Sequence, residues 1–156
     1  MAERRAGRKT AGNRAVKDVM IGDVVTIEAS ATLLEAAQKM RDANIGMLPV
    51  MEDGALRGII TDRDLVVRAM SRDAQASQVR VADTLSEPPV YAEPDWSLED
   101  AMIEMARQQV GRLPVVDGGG AIIGVVTLSS LALRGPKQLE ALQTAQEVSR
   151  RSARIA

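Results

Sequence analysis

The 156-residue sequence contains no cysteine, no histidine and no phenylalanine, and its only aromatic residues are Tyr91 and Trp96. Without thiols or imidazoles, the chain lacks thiolate nucleophiles, histidine acid–base catalysts and the usual ligands of protein zinc sites. Carboxylates remain, but no convergent pair is visible, so we expect no catalytic residues and no metal site. The core must be built from Val, Ile, Leu, Ala and Met.

Long apolar runs are also missing. No stretch approaches the ~18 consecutive apolar residues that a membrane span requires, so we expect no membrane partner. The basic N-terminal stretch lacks the apolar segment of a secretory signal. Together with the absence of cysteine, these features favour a cytoplasmic protein.

The charge is unevenly distributed, although the net charge is only −1. Residues 1–17 carry six basic residues against one acidic residue, and residues 134–156 carry five against two, which leaves an acidic body. We interpret residues 1–15 as a disordered basic arm. A solvated tail is the favoured reading, and a nucleic-acid contact is the alternative.

The chain repeats itself with a shift of 65 residues, which becomes 66 after one insertion in the turn at residues 117–121. A unit this short usually cannot close a core alone, whereas two packed units can, and they leave two related clefts. The corresponding positions include Met20 and Leu85, Leu33 and Leu98, Met40 and Met105, Pro49 and Pro114, Gly58 and Gly124, and Thr61 and Thr127.

Each repeat predicts the order strand–helix–strand–strand–helix, which indicates an α/β or α+β fold. Thr32 and Ser97 begin the first helices with capping boxes, and apolar stripes run to about Asn44 and Gln109. The next strands each carry a proline, which predicts an edge position or a bulge. The following strands, 56–60 and 122–126, are apolar enough to be central.

The predicted organisation has five parts. A terminal helix lies outside the repeats, and its apolar stripe suits docking on its own body or on a second copy. The parts are the arm at 1–15, the first repeat at 16–70, a linker at 71–78, the second repeat at 79–134 and the helix at 136–155.

The segment with the most specific chemistry begins at Thr61, where a strand ends and a helix starts. The amides of a first helical turn lack intrahelical acceptors and attract anions. Asp64 could accept both hydroxyls of a ribose, and Arg63 could reach a phosphate. The alternative is purely structural, because Thr-x-x-Asp is also a capping box.

The duplicated unit, with its Leu-Pro-Val strand, its turn and its closing G-x-x-T-x-x-D, resembles a tandem pair of cystathionine β-synthase (CBS) domains. The resemblance covers roughly residues 16–134, and Thr61–Val66 is similar to small bacterial two-CBS proteins. It implies a pseudo-twofold module, a homodimer of modules, and clefts that bind AMP, ADP, ATP or S-adenosylmethionine.

The resemblance also implies site residues. The first cleft takes its ribose and phosphate contacts from the first repeat, with two residues facing it from the second; the other cleft is built in the related way. The first set is Ile59, Thr61, Arg63, Asp64, Val110 and Arg112, and the second is Val125, Thr127, Ser130, Met20, Val24, Ile45 and Met47.

Two positions depart from the family pattern. Ser130 replaces the ribose-binding carboxylate with a hydroxyl that binds more weakly, so we expect the second cleft to be impaired or empty. Arg112 replaces a small residue near the purine. It could pair with Asp64 and close the site, or it could meet a phosphate, and the sequence leaves both open.

The resulting expectation is a non-catalytic regulatory module that senses a nucleotide, needs no cofactor, and acts through an unknown effector protein. The alternatives are a structural homodimer with vestigial clefts and a nucleic-acid-associated protein with basic termini. An enzyme that uses Asp62, Asp64 or Glu93 is the least favoured reading, because carboxylates at a helix start already have a structural role.

Overall fold

The computed structural model describes residues 14–134 and two isolated positions, Gln143 and Val148. All but the last two residues of the predicted arm lie outside the described residues. So does the predicted helix at 136–155, apart from those two positions. Within the described part of the chain, no helix is long and apolar enough to cross a membrane.

Two 11-residue helices, α1 (Leu33–Ala43) and α3 (Leu98–Gln108), begin at the predicted caps. The Thr32 hydroxyl accepts the Glu35 amide at 3.2 Å, and the Glu35 carboxylate accepts the Thr32 amide at 2.7 Å. The two helices end at Asn44 and Gln109, which both have positive φ, 52° and 56°. Such left-handed caps satisfy the last carbonyls of a helix.

The strands form two small sheets. The first has the order β1 (Ile27–Glu28), β2 (Met47–Glu52) and β3 (Ala55–Thr61), with β1 parallel and β3 antiparallel to β2. The second pairs β4 (Arg112–Val116) with β5 (Ile122–Thr127). These elements confirm the mixed α and β architecture of two related repeats.

The strand order corrects the expectation that residues 56–60 form a central strand, and an irregularity next to Pro49 fits the bulge expected for the proline strand. β2, which contains Pro49, lies in the middle of its sheet rather than at the edge, and β3 lies at the end of the strand order. Proline is tolerated because β1 pairs only with Val50 and Met51, and the ladder shifts register between these two residues. β3 has only one neighbouring strand, β2. Its other edge is covered by the chain around Ser86, which bridges to Ile59, and this explains its apolar sequence.

The second helix of each repeat starts where the sequence predicts it. In the first repeat, only Asp62–Asp64 (α2) is regular α-helix; Leu65–Ala69 is wound as a π-helix and Met70–Arg72 as a 3₁₀ turn. In the second repeat, α4 spans Leu128–Arg134. The π-helical winding was not predicted, because apolar spacing does not distinguish it from an α-helix.

The chain divides into two compact units. The first-repeat unit comprises residues 24–90 with 120–122, and the second-repeat unit comprises the remaining described residues of 14–134. Val81 and Leu85, from the segment after the linker, are buried in the core of the first-repeat unit with Leu33, Leu48 and Ile60.

The second-repeat unit is completed in the related way. The 3₁₀ turn Val16–Asp18 is the start of the first repeat, yet the Val16 and Lys17 amides donate to the Trp96 and Pro94 carbonyls at 2.9 and 3.0 Å. Each unit therefore combines most of one repeat with the first residues of the other repeat.

Candidate functional site

Thr61 and Asp64 form a closed hydrogen-bond pair at the junction of β3 and α2. The Asp64 Oδ2 atom accepts the Thr61 amide and the Thr61 hydroxyl, both at 2.9 Å. In return, Thr61 Oγ1 accepts the Asp64 amide at 3.2 Å. The capping box that the sequence offered as the structural alternative is therefore present.

The second oxygen of Asp64 is held more loosely. Asp64 Oδ1 lies 3.4 Å from the Arg68 Nε atom, and the Asp64 side chain is only 13% exposed against 46% for Arg68. Charge-assisted N–H···O⁻ bonds are usually about 2.7–2.9 Å long, so this contact is a weak one. A carboxylate offers about four acceptor positions, so Oδ1 can accept further donors.

Arg68 also reaches the main chain of the segment that follows the linker. Its Nη1 atom donates to the carbonyl oxygens of Thr84 and Leu85 at 3.0 and 3.2 Å. The sequence analysis did not identify Arg68. Its spacing of four residues after Asp64 was the available signal, since such pairs meet on a helical surface.

The segment at residues 84–86 lies directly against β3. Ile59 and Ser86 exchange two backbone hydrogen bonds, with N···O distances of 3.2 and 2.8 Å. A Cβ atom on Gly58 would lie 2.6 Å from the Ser86 carbonyl oxygen, so only glycine allows this approach. Ile59, predicted to line a cleft, is half-buried beside this segment.

The start of β2 adjoins Thr61 in the same unit. Met47 is paired in register with Thr61, and the Asp62 amide donates to the Gly46 carbonyl at 3.0 Å. Ile45 is half-buried and Met47 is buried. The structure thus brings two residues predicted for the second cleft to the same strand end as Thr61.

Three further predicted or considered residues of this unit lie at its surface or near it. The Arg63 and Asp62 side chains are exposed, and the Asp62 carboxylate accepts the Arg63 amide at 2.7 Å. Val24 is half-buried just before β1. The exposed Arg63 guanidinium beside the cap is free to approach an anionic group.

The second-repeat unit contains the related motif without its charge. Ser130 Oγ accepts the Thr127 amide at 3.0 Å and donates to the Thr127 carbonyl at 2.9 Å, and the Ser130 amide donates to Thr127 Oγ1 at 3.0 Å. Ser130 is only 5% exposed. Its hydroxyl is therefore buried and already used by the cap.

The other predicted residues of this unit flank the same junction. Ile21 and Val125 exchange backbone hydrogen bonds at 2.9 Å each, and a Cβ on Gly124 would lie 2.7 Å from the Met20 sulfur. Met20, Val125 and Thr127 are half-buried. At the start of β4, Val110 is half-buried and Arg112 is exposed.

Glu35 and Arg57 have shifted pKa values, and each shift has a local cause. Hydrogen bonds from the Thr32 amide and hydroxyl lower the pKa of Glu35. The Glu87 carboxylate, 2.9 Å from Nε, raises the pKa of Arg57, with Glu52 adding to the effect. Among residues 14–134, no three acidic side chains come together as metal ligands.

A sequence model of the family described as "CBS domain" matches residues 16–71 and 81–134. The chain belongs to the CBS domain family. It is 42% identical over 120 residues to the CBS domain-containing protein YhcV of Bacillus subtilis. The matched region covers 76% of this chain and 83% of that protein. It is 41% identical to the uncharacterized protein YlbB of the same organism, over 76% and 80% of the two chains.

Solved CBS structures share the fold. The CBS domain pair of MJ0100, in complex with 5′-methylthioadenosine and S-adenosyl-L-methionine, is 26% identical, with a TM-score of 0.69 over 80% of this chain and 98% of that chain. Hypoxic Response Protein I with two coordinated zinc ions is 28% identical, with a TM-score of 0.73 over 79% of this chain and all of that chain.

Proposed function

We propose that this protein is a non-catalytic regulatory module that binds an adenosine compound such as AMP, ADP, ATP or S-adenosylmethionine at the Thr61–Asp64 junction. The observation that carries the proposal is the Asp64 carboxylate, which is nearly buried and holds one oxygen only through a 3.4 Å ion pair. The MJ0100 domain pair, whose two ligands share an adenosine group, supports the choice of ligand.

The proposed contacts follow from the chemistry of each group. The Asp64 Oδ1 atom accepts the ribose hydroxyls, while Oδ2 keeps the cap with Thr61 closed. Ile59 contributes apolar surface to the base, and the exposed guanidinium of Arg63 meets phosphate. The assignment of Val110 and Arg112 to this site stays a prediction from the family resemblance.

The second junction is proposed to bind such a ligand weakly or not at all. Its Ser130 hydroxyl is uncharged, buried and committed to the Thr127 main chain in both directions. A ribose would have to displace these hydrogen bonds without gaining a charge-assisted one. The proposal is therefore one strong site per chain. The assignment of Met20, Val24, Ile45, Met47 and Val125 to the weak one stays a prediction from the family resemblance.

We further propose that the protein acts as a homodimer in the cytoplasm and passes the ligand signal to an effector protein. A ligand can shift a conformational equilibrium only by its differential affinity for two states. Binding must therefore change some surface that the effector reads.

Calorimetric titration with AMP, ADP, ATP and S-adenosylmethionine tests the proposal, supported by thermal unfolding. A ligand at about 100 times its Kd should stabilise the protein by roughly 2.7 kcal/mol. Asp64→Asn should weaken binding about tenfold or more, because it removes a charged acceptor. Ser130→Ala, the matched change in the second repeat, should leave the strong site unchanged.

Two results would contradict the proposal. If none of the four compounds binds, the structural-homodimer alternative is favoured. If a compound binds and Asp64→Asn binds it as tightly as the wild type, the ribose contact is assigned to the wrong carboxylate.

A further inference from the structure

Arg68 connects the Asp64 carboxylate to the main chain of residues 84–85. We propose that Arg68 is the positioning residue that transmits occupancy of the Asp64 site to residues 81–86. This inference rests on the proposed function, because it needs a ligand at Asp64. It adds the route by which binding at the first repeat changes the structure elsewhere.

The Arg68 guanidinium contacts the Asp64 carboxylate and the main chain of residues 84–85 at the same time. The guanidinium is a rigid planar group, so its Nε and Nη1 atoms move together. Nε faces Asp64 Oδ1, and Nη1 faces the Thr84 and Leu85 carbonyls. Any rotation that takes Nε away from the carboxylate therefore also disturbs the two carbonyl contacts.

A bound ribose would compete with Arg68 for the Oδ1 atom of Asp64. Oδ2 of Asp64 already accepts two hydrogen bonds from Thr61, so an incoming hydroxyl is directed to Oδ1, where Arg68 is held at 3.4 Å. The longer contact is the weaker one, so it yields first. A ribose bound at Oδ1 thus releases the guanidinium from the carboxylate.

The backbone around Arg68 is suited to such a movement. Leu65–Ala69 is wound as a π-helix between a single α-turn and a 3₁₀ turn. A π-helical turn is rare and is frequently found at functional positions. Arg68 lies inside this turn, so rewinding changes the direction of its side chain.

The segment that Arg68 contacts, residues 81–86, is packed into the first-repeat unit and continues into the second-repeat unit. Val81 and Leu85 are buried in the core of the first-repeat unit, and Ser86 is hydrogen-bonded to Ile59 of β3. The chain leaves this unit after Val90 and continues into the second-repeat unit at Tyr91. Residues 81–86 therefore lie on one of the stretches of chain that lead from the first-repeat unit into the second, and Arg68 connects that stretch to Asp64.

The second repeat has no carboxylate at the related position, because Ser130 is aligned with Asp64. The proposed connection therefore belongs to the first repeat.

Amide hydrogen exchange tests the inference, with S-adenosylmethionine and AMP as the probes and calorimetry as the measure of binding. In the wild type, a bound probe should accelerate exchange in residues 84–86 roughly threefold or more, because the carbonyl contacts of Arg68 are lost. Unliganded Arg68→Gln should already show this fast exchange, and adding the probe should change it no further while binding persists.

Two further variants serve as a control for loosening of the segment and as a test of whether charge alone is sufficient. Arg57→Gln breaks the ion pairs to Glu52 and Glu87, so it loosens the same segment without touching Asp64. It should keep the ligand response. Arg68→Lys keeps the charge but not the two-sided guanidinium, and it should show less than half of the wild-type response.

The outcomes separate the two proposals. If the wild type binds none of AMP, ADP, ATP and S-adenosylmethionine, the proposed function fails, and this inference fails with it. If the wild type binds a probe and Arg68→Gln or Arg68→Lys gives the full wild-type exchange response, the inference is wrong and the proposed function stands. The same holds if a bound probe leaves exchange of residues 84–86 unchanged in the wild type.

Discussion

Ile59 and Ser86 exchange two backbone hydrogen bonds, and Ser86 belongs to the segment that begins the second repeat. Ile21 and Val125 form the related pair, in which Ile21 belongs to the segment that begins the first repeat. The two pairs are reciprocal. Each repeat therefore folds against a chain segment that the sequence assigns to its neighbour, and the two repeats depend on each other for stability.

This dependence predicts the effect of Gly58→Ala. The added Cβ would lie 2.6 Å from the Ser86 carbonyl oxygen, so the segment at 84–86 must shift. We expect a loss of about 1–3 kcal/mol in the free energy of unfolding, typical of overpacking, measured by urea denaturation. Gly118→Ala is the control, because a Cβ there meets nothing within 4 Å. Equal stabilities of the two variants would contradict the close approach.

Ligand discrimination tests the hydrogen bond from ribose to Asp64. We expect 2′-deoxy-AMP to bind the wild type about tenfold more weakly than AMP, because a hydrogen bond to a charged group contributes roughly 1.5–3 kcal/mol. In Asp64→Asn the difference between the two nucleotides should shrink. Calorimetry of the four combinations forms a double-mutant cycle. An unchanged difference in Asp64→Asn means that the hydroxyl is read by another group.

The Thr32–Glu35 capping box predicts an acid-sensitive contribution to stability. Hydrogen bonds from the Thr32 amide and hydroxyl lower the pKa of Glu35 in the folded state below its ordinary value. The stabilisation is therefore present above the unfolded-state pKa and is lost as the pH falls through the lowered folded-state pKa.

The measurement compares Glu35→Gln with the wild type by urea denaturation at several pH values. The wild type should be the more stable protein near neutral pH, and the difference should disappear as the pH falls through the lowered pKa of Glu35. A difference that is constant across this range would show that the charge of Glu35 contributes nothing to the cap.

The helix termini predict a stabilising substitution. Gln109 ends α3 with a φ of 56°, a region that costs most side chains roughly 1–2 kcal/mol. Gln109→Gly should relieve this cost and lose one side-chain hydrogen bond to Ala106, with a net gain of about 0.5–1 kcal/mol.

Asn44→Gly, the matched change at the end of α1, should gain less, because asparagine tolerates this conformation better than glutamine. Thermal unfolding compares the two variants directly. A Gln109→Gly protein that is less stable than the wild type would show that the side-chain hydrogen bond outweighs the backbone strain.

Much of the fold was predictable because its signals are local. The caps at Thr32, Ser97 and Thr61 depend on side chains three residues apart, and the helices between them depend on apolar spacing. The strand order was not predictable in the same way. The apolar pattern of β3 indicates that the strand is buried, but it does not say what buries it. A neighbouring strand and the segment at 84–86 would produce the same pattern.

The candidate site also has a part that was predictable from the sequence and a part that was not. The Thr61–Asp64 pair could be read from spacing, and so could the loss of charge at Ser130. The role of Arg68 could not, because its carbonyl partners lie 16 and 17 residues away along the chain. Nothing local in the sequence around Thr84 indicates that its carbonyl is the acceptor.

The sequence by itself determined the two repeats, their elements and their family, because the doubled pattern and the helix caps are properties of neighbouring residues. Only the tertiary structure decided that Leu85 completes the first repeat, while Val16 hydrogen-bonds to Trp96 of the second. The physical reason is that the segments that begin the two repeats are alike. Which repeat each one completes depends on long-range packing, for which their similar sequences carry no distinguishing signal.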